Sequence, residues 1–216
     1  MARIARLVVP GLAHHVTQRG NRRERGFFTE DDYRAYLDLL KAYLPKSGTR
    51  LLAWCLMPNH VHLLAVPDGP DGLRALLGEV HRRYTAGINA RNGWTGHLWQ
   101  GRFGSVVMEE YHFVHAVRYV CLNPVRAKLA PRAEDWPWAS TRAHLSGHDD
   151  GLTDLAPVRD LRRPARQRRG RSRGRGAAPE REERASARLR GLACRAGSDD
   201  GARPGPTQAG TTAGVE

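Results

Sequence analysis

The sequence lacks any apolar run of the roughly 20 residues that a bilayer-spanning helix requires. Its first residues, MARIARLVVPGLAHH, also lack the apolar core and small-residue cleavage site of a secretory signal. Cysteine is scarce, because Cys55, Cys121 and Cys194 are widely spaced and form no paired metal-ligand or disulfide pattern. We therefore expect a soluble cytoplasmic protein without a disulfide framework, a zinc knuckle or a membrane partner.

Positive charge dominates what the chain does contain. The 216 residues carry a formal net charge of +13, which favours an acidic partner, most commonly nucleic acid. Residues 161–216 are rich in arginine and contain no lysine or aromatic side chain, so they cannot bury enough apolar surface to offset the entropy of ordering. We therefore predict a domain over 1–145, a linker over 146–160 and a disordered basic tail over 161–216.

Hydrophobic periodicity and turn residues predict an alternation of strands and helices. Strands are predicted over 7–19, 50–57, 60–67 and 97–108. Helices are predicted over 29–48, about 73–90 and 109–129, the last interrupted or ended near Pro124. This order, β-α-β-β-α-β followed by one more helix, matches an α+β fold, the ferredoxin-like split βαβ sandwich. Its two helices cover one face of the sheet and leave the other for the third helix or a ligand.

The segment MPNHVHLL places two histidines within an apolar strand. Because side chains alternate along a strand, His60 and His62 project from one side and Val61 from the other. Two imidazoles on one face can bind a metal ion together, or they can form a polar face with nothing bound. A metal site also needs at least a third protein group. Alone, the pattern leaves both interpretations open.

The third predicted helix offers partners for that strand. In RYVCLNPVRA, Tyr119 and Asn123 are four residues apart and therefore on one helical face. Tyrosine can act as a nucleophile, and an amide oxygen can bind Mg²⁺ or Mn²⁺. Two alternatives stay open: Tyr119 can be a half-buried packing residue, and Asn123 followed by Pro124 can cap a short helix.

Four segments between residues 3 and 145 occur in an order that resembles a known family. They are MPNHVHLL, GHLWQGRF, YVCLNPVRA and DWPWAS. Together they are similar to the REP-associated tyrosine transposases, which belong to the HUH superfamily with the IS200-like transposases. The resemblance implies that His60, His62 and Asn123 bind a divalent metal ion, Mg²⁺ or Mn²⁺. It also implies that Tyr119, on the additional C-terminal helix, is the catalytic nucleophile.

The resemblance also implies an activity and a partner. The activity is metal-dependent cleavage and strand transfer of single-stranded DNA through a 5′-phosphotyrosine intermediate, at hairpin-forming repeats. The implied location is the cytoplasm of a bacterium, in association with the nucleoid. The partner is single-stranded or hairpin DNA, bound by a monomer or a homodimer. The side chains that we predict to contact DNA phosphates are Arg22, Arg23, Arg25, Arg82, Arg83 and Arg102. Two alternatives are a DNA-binding protein of this fold without catalysis, and a metallohydrolase whose two histidines activate water.

Several residues near these motifs receive other predictions. His14, His15 and His112 are not predicted as ligands, although His14 can share the sheet face of the metal pair. Trp94, Trp99 and Phe103 can stack on unpaired bases, but each is more typical of a core residue. The tail departs from the family, whose members continue with basic helical sequence. We therefore hypothesise that it follows a shifted reading frame.

Overall fold

A computed structural model describes residues 7–158, apart from the side chains at positions 110 and 111. The predicted tail lies outside these residues. Within them are four strands, β1 (His14–Arg19), β2 (Thr49–Met57), β3 (His60–Pro67) and β4 (Gly104–Val107). The α-helices whose bounds lie within these residues are α1 (Glu30–Ser47), α2 (Gly72–Asn92), α3 (Glu110–Arg126) and α4 (Thr141–Ser146). No helix of the described part combines the length and apolarity needed to cross a bilayer.

The four strands form one antiparallel sheet in the order β2-β3-β1-β4. This order is that of the ferredoxin-like split βαβ arrangement, so the predicted fold class is confirmed. The predictions for the first and the last strand in the sequence are too long, however. β1 begins only at His14, because Gly11, with φ of +81°, turns the chain and donates its N–H to the carbonyl oxygen of Pro67 at 2.8 Å. β4 begins only at Gly104, after a loop in which Gly101 has φ of +62°.

Helix α3 continues through Pro124 without interruption and ends two residues later, at Arg126, so the predicted end near this proline is confirmed. Pro124 lies in the last turn of the helix, where its missing N–H removes only one intrahelical hydrogen bond. The backbone beyond it is still hydrogen bonded, since Ala127 N–H donates to the carbonyl oxygen of Asn123 at 2.9 Å. Asn123 therefore lies inside a helix, one turn after Tyr119 on the same face, and does not cap a separate helix.

The sheet separates two apolar cores. Helices α1 and α2 pack on one face, where the alternating side chains of β3 contribute Val61 and Leu63. Helix α3 packs on the other face, where the same strand contributes Leu64 and Val66. Since residues two apart on a strand share a face, His62 faces α3 with Leu64.

The chain after α3 returns to the outer edge of β2. The backbone N–H of Leu56 donates to the carbonyl oxygen of Trp138 at 2.8 Å, and that of Ser140 donates to Trp54 at 2.9 Å. Through these bonds DWPWAS docks the chain after the helix against β2. In the predicted linker, Thr153 Oγ1 accepts a hydrogen bond from Trp54 Nε1 at 3.1 Å. The outward backbone groups of this edge strand at Trp54 and Leu56 are thereby paired.

Helix α1 begins with a capping box that contains a buried carboxylate. Asp32 accepts hydrogen bonds from the backbone N–H groups of Phe28 and Thr29, at 2.8 and 2.9 Å, and pairs with Arg91 of α2. Burial alone raises the pKa of Asp32, but these hydrogen bonds together hold it below its ordinary value. The carboxylate thus connects the start of α1 to the end of α2.

Replacing Asp32 with alanine is expected to lower the free energy of unfolding by about 1 to 3 kcal/mol, because two backbone donors and Arg91 lose their acceptor. Asp31→Ala is the matched control, because this neighbouring carboxylate is 85% exposed and pairs with the exposed Arg34. Urea unfolding measures both. Because the folded pKa of Asp32 is lowered, its contribution is present above the ordinary carboxyl pKa and is lost as the pH falls below it. Equal effects of the two substitutions at neutral pH would contradict this role.

Candidate active site

Three aromatic side chains meet between the sheet and α3. His62 comes from β3, His15 from the neighbouring strand β1, and Tyr119 from α3. The ring centroid of Tyr119 lies 5.6 Å from that of His62 and 6.0 Å from that of His15, in edge-to-face orientations. His60 continues the row, with its ring centroid 4.8 Å from that of His62. The structure therefore brings the predicted nucleophile and the predicted histidine pair together.

The hydrogen bonds of the two histidines leave one nitrogen of each ring available. The Nδ1–H of His60 donates to Asn59 Oδ1 at 2.6 Å, so the Nε2 of this neutral ring carries a lone pair. His62 Nδ1 is hydrogen bonded to His15 Nε2 at 2.9 Å. His62 Nε2 is buried and has no hydrogen-bond partner among the described residues. Ligand histidines of metal sites show this pattern, with the second ring nitrogen engaged in a hydrogen bond.

Both predicted ligand histidines are neutral at physiological pH. Burial, followed by the positive charge of Arg19, lowers the pKa of His60 to about 4. Burial also lowers the pKa of His62 to about 3, with further contributions from His60, His15 and Arg19. Neutral imidazole is the form that binds metal ions, so protons do not compete for these rings near neutral pH.

A third metal ligand beside the two histidines would be of a type other than His, Cys, Asp or Glu. Within residues 7–158, no group of three or more His, Cys, Asp or Glu side chains could hold a metal ion. Asn123 lies on α3 one turn beyond Tyr119, and its Nδ2 is buried with no partner in the described structure. A 180° rotation of the Asn123 amide about its Cβ–Cγ bond places Oδ1 where Nδ2 lies. Two imidazoles and one amide are therefore donors of types that fit a divalent cation.

Tyr119 is accessible to a large substrate. Its side chain is 42% exposed, and it lines a cavity of ≈ 540 Å³ together with His15, Arg118 and Arg126. The guanidinium carbon of Arg126 lies 5.1 Å from the centre of the Tyr119 ring, and neither arginine forms an ion pair among the described residues. The cavity thus combines a phenol with two cations, which suits a phosphodiester.

The sequence prediction missed His15, Arg118 and Arg126. Arg126 lies seven residues after Tyr119, which is two turns along the same helical face, but the helix break predicted at Pro124 concealed that relation. The position of His15 at the site follows from the pairing of β1 with β3, which the sequence alone does not give. The sequence allowed His14 on this face, but the structure places it elsewhere. It points to the opposite face, where its Nδ1–H donates to Leu12 and its Nε2 accepts from Val9 N–H.

A turn between β1 and α1 holds the first arginine cluster beside His60. Arg22 and Arg23 adopt the left-handed backbone conformation, with φ of 53° and 66°, which is uncommon outside glycine. The β2–β3 turn holds them there, because Asn59 Nδ2 donates to the carbonyl oxygen of Arg23 at 3.1 Å and Gly26 N–H donates to Pro58 at 2.9 Å. A side chain at Gly20, where this turn begins, would collide with the carbonyl oxygen of Glu24. This turn is fixed to the strand that carries His60.

The turn between β1 and α1 that carries Arg22, Arg23 and Arg25, here called the arginine turn, also contributes to a second cavity. Arg23, Arg25, Phe28 and His60 line this space of ≈ 610 Å³. Phe28 packs edge-to-face against Trp94, which is 49% exposed, so an aromatic surface continues from the cavity. Trp99, by contrast, is a buried core residue, and Phe103 packs partly buried against the same core.

The remaining predicted DNA contacts lie elsewhere. Arg82 and Arg83 are on α2, across the sheet from α3, and both pair with Glu79, at 2.7 and 3.1 Å. Arg102 is exposed in the loop that precedes β4. Of the six predicted arginines, the structure therefore brings Arg23 and Arg25 to the cavity lined by His60, and it places the α2 pair on the far side.

Comparison with known proteins identifies relatives of the sheet and of most of α3. Residues 8–122 match the model of a protein family described as "Transposase IS200 like". A REP-associated tyrosine transposase of Escherichia coli (strain K12) is 25% identical over 107 residues, which are 49% of this chain and 59% of the relative. A Haemophilus influenzae protein named after the same transposases is 23% identical over 100 residues, 41% of this chain and 57% of its own length. The chain thus spans less than two thirds of either relative.

A solved structure shares the fold. The structure of a REP-associated tyrosine transposase bound to a REP hairpin superimposes with a TM-score of 0.58 at 21% sequence identity. The match covers 72% of this chain and 90% of the solved one. It shows that the α+β arrangement of the sheet and helices is common to both chains.

Proposed function

The chain belongs to the IS200-like transposase family, and from this membership we propose that it cleaves and rejoins single-stranded DNA with Tyr119 as the nucleophile. The observation that carries the proposal is the position of Tyr119. Its exposed ring lies 5.6 Å from the ring of His62, whose Nε2 has no partner among the described residues, in a cavity that also contains Arg118 and Arg126. Nucleophile, candidate ligand and phosphate-binding cations share one surface.

The proposed reaction conserves the energy of the phosphodiester bond. The phenol oxygen of Tyr119 loses its proton and attacks the phosphorus in line, forming an O–P bond while the bond from phosphorus to the 3′ oxygen breaks. The departing oxygen takes up a proton as a free 3′-hydroxyl, and the 5′ end stays on the tyrosine. Attack by a 3′-hydroxyl of another strand reverses these steps and joins the new strand. One tyrosine holds one strand at a time, so a full exchange requires two sites or two turnovers.

The proposed metal ligands are His60 Nε2, His62 Nε2 and the Asn123 amide oxygen. If these residues hold Mg²⁺ or Mn²⁺, the ion would supply Lewis acidity toward the phosphodiester. Arg118 and Arg126 provide positive charge in the Tyr119 cavity, where they offset the charge of the phosphodiester. The helix fixes the distance between Tyr119 and Asn123, so nucleophile and ligand are positioned by one rigid element.

We propose hairpin or single-stranded DNA as the substrate, because the solved relative with the same fold is described as bound to a REP hairpin. Arg23 and Arg25 would contact backbone phosphates beside His60, and the exposed pair of Phe28 and Trp94 would stack on an unpaired base. This surface joins positive charge to aromatic rings, as sites for single-stranded nucleic acid do.

Covalent trapping tests the proposal. The full chain is incubated with a 5′-labelled and a 3′-labelled DNA hairpin carrying a single-stranded extension, in Mg²⁺, in Mn²⁺ or in EDTA. We expect a metal-dependent protein–DNA complex that keeps the 3′-labelled fragment and releases the 5′-labelled fragment with a free 3′-hydroxyl. Hairpin binding without any covalent complex would indicate a DNA-binding protein that has lost catalysis. Cleavage without a covalent complex would indicate water activated by the two histidines.

Two double substitutions that remove the same charge from opposite faces test the DNA surface. Arg23→Ala with Arg25→Ala is expected to weaken hairpin binding and to reduce the slope of log affinity against log salt by about one per lost phosphate contact. Arg82→Ala with Arg83→Ala, on α2, is expected to change affinity little, since Glu79 already pairs with both. Fluorescence anisotropy over a salt series measures both variants. A larger loss in the α2 variant would move the DNA surface to the opposite face of the sheet.

A further inference from the structure

His15 and His62 are joined by a direct hydrogen bond across neighbouring strands. The two atoms, His15 Nε2 and His62 Nδ1, are 2.9 Å apart, and the ring planes differ by 23°. In the β1–β3 register, His15 lies opposite Leu64 and Thr17 lies opposite His62, so the two histidines are diagonal neighbours on the α3 face. Strand pairing thus fixes both ends of the bond.

Only one of the two proton arrangements in this bond leaves a ligand. If His15 donates, His62 carries its own proton on Nε2, and that buried N–H has no acceptor in the described structure. If His62 donates, its Nε2 carries a lone pair and can bind a cation. In that case His15 holds its proton on Nδ1 and lines the cavity of Tyr119, where water can accept it.

We infer that His15 is a positioning residue. Its Nε2 accepts a hydrogen bond from the Nδ1–H of His62 and so holds His62 in the tautomer with an unprotonated Nε2. The consequence for metal binding rests on the proposed function, but the tautomer itself does not. The ring of His15 also packs edge-to-face with that of Tyr119, so one side chain orients the candidate ligand and adjoins the candidate nucleophile. No other described side chain is hydrogen bonded to His62.

The His62 tautomer can be measured directly in the metal-free full chain. Side-chain ¹⁵N NMR at pH 7 distinguishes a protonated from an unprotonated ring nitrogen, and a His62→Gln spectrum assigns the signals. We expect wild-type His62 to carry its proton on Nδ1. His15→Leu removes the acceptor and should shift the proton to Nε2, the intrinsic preference of histidine. His15→Gln places an amide oxygen near the lost nitrogen and should keep the proton on Nδ1. A wild-type proton on Nε2, or a tautomer unaffected by His15→Leu, would overturn the inference.

Manganese affinity supplies a second measurement. Loss of a ligand's hydrogen-bond partner typically weakens metal binding about tenfold to a hundredfold, so His15→Leu is expected to weaken Mn²⁺ binding in that range. His15→Gln should restore most of it, and His97→Leu, at an exposed loop position, should leave it unchanged. Equal Mn²⁺ affinity in wild type and His15→Leu would contradict the positioning role. A His15-dependent tautomer in a protein that binds no Mn²⁺ would support the inference and contradict the proposed metal-dependent reaction.

Discussion

Tyr119→Phe is expected to abolish the covalent protein–DNA complex, with a loss of strand cleavage on the order of a thousandfold or more, as for other catalytic nucleophiles. The substitution removes only the phenol oxygen. The ring contacts with His62 and with the Arg126 guanidinium do not need that oxygen, so folding and hairpin affinity should be retained. The measurement is denaturing electrophoresis of labelled hairpin DNA after incubation with Mg²⁺ or Mn²⁺.

A matched tyrosine controls for this change. Tyr43 lies on α1, on the opposite side of the sheet, where its ring contacts Lys46 and Arg83. Tyr43→Phe removes the same atom and is expected to leave the covalent complex at the wild-type level. If Tyr119→Phe still forms the complex, another residue is the nucleophile, and the proposed mechanism is wrong even if DNA is cut.

The sequence was sufficient to predict the parts of the site that depend on local geometry. Alternation along a strand places His60 and His62 on one face, and the spacing of four residues places Tyr119 and Asn123 on one face of α3. The fold class followed in the same way, from the order of periodic segments and turns. The side-chain relations hold within single elements, and the order of the elements is read directly along the chain, so a single sequence contains both.

The parts that could not be predicted depend on contacts between distant segments. The register of β1 against β3 brings His15 rather than His14 to the site, and it is decided by packing on both sheet faces. The same limit applies to the arginine turn, whose left-handed backbone is held by Pro58 and Asn59 from another turn. Arg126 is a different case, because proline's general effect on helices masked a local relation that was present in the sequence.

His60→Ala and His62→Ala are expected to abolish metal-dependent cleavage and to lower Mn²⁺ affinity by at least about tenfold each, because each removes one nitrogen ligand. Tyr119→Phe is the matched comparison, since it should lose the covalent complex but keep Mn²⁺ binding. The fold should survive each change, because the surrounding strand stays paired with β1 and β2. Mn²⁺ titration of the metal-free chain followed by electron paramagnetic resonance separates the two classes of variant.

The pH dependence of Mn²⁺ binding gives an independent check on the same two rings. A histidine with an ordinary pKa of about 6.5 loses metal affinity as soon as the pH falls below neutrality. Burial lowers the pKa of His60 to about 4 and that of His62 to about 3, so protons displace the metal only below those values. We therefore expect Mn²⁺ affinity to be nearly constant between pH 7 and pH 5. A steep loss centred near pH 6.5 would show that the rings binding Mn²⁺ are exposed ones, and would exclude His60 and His62 as the ligands.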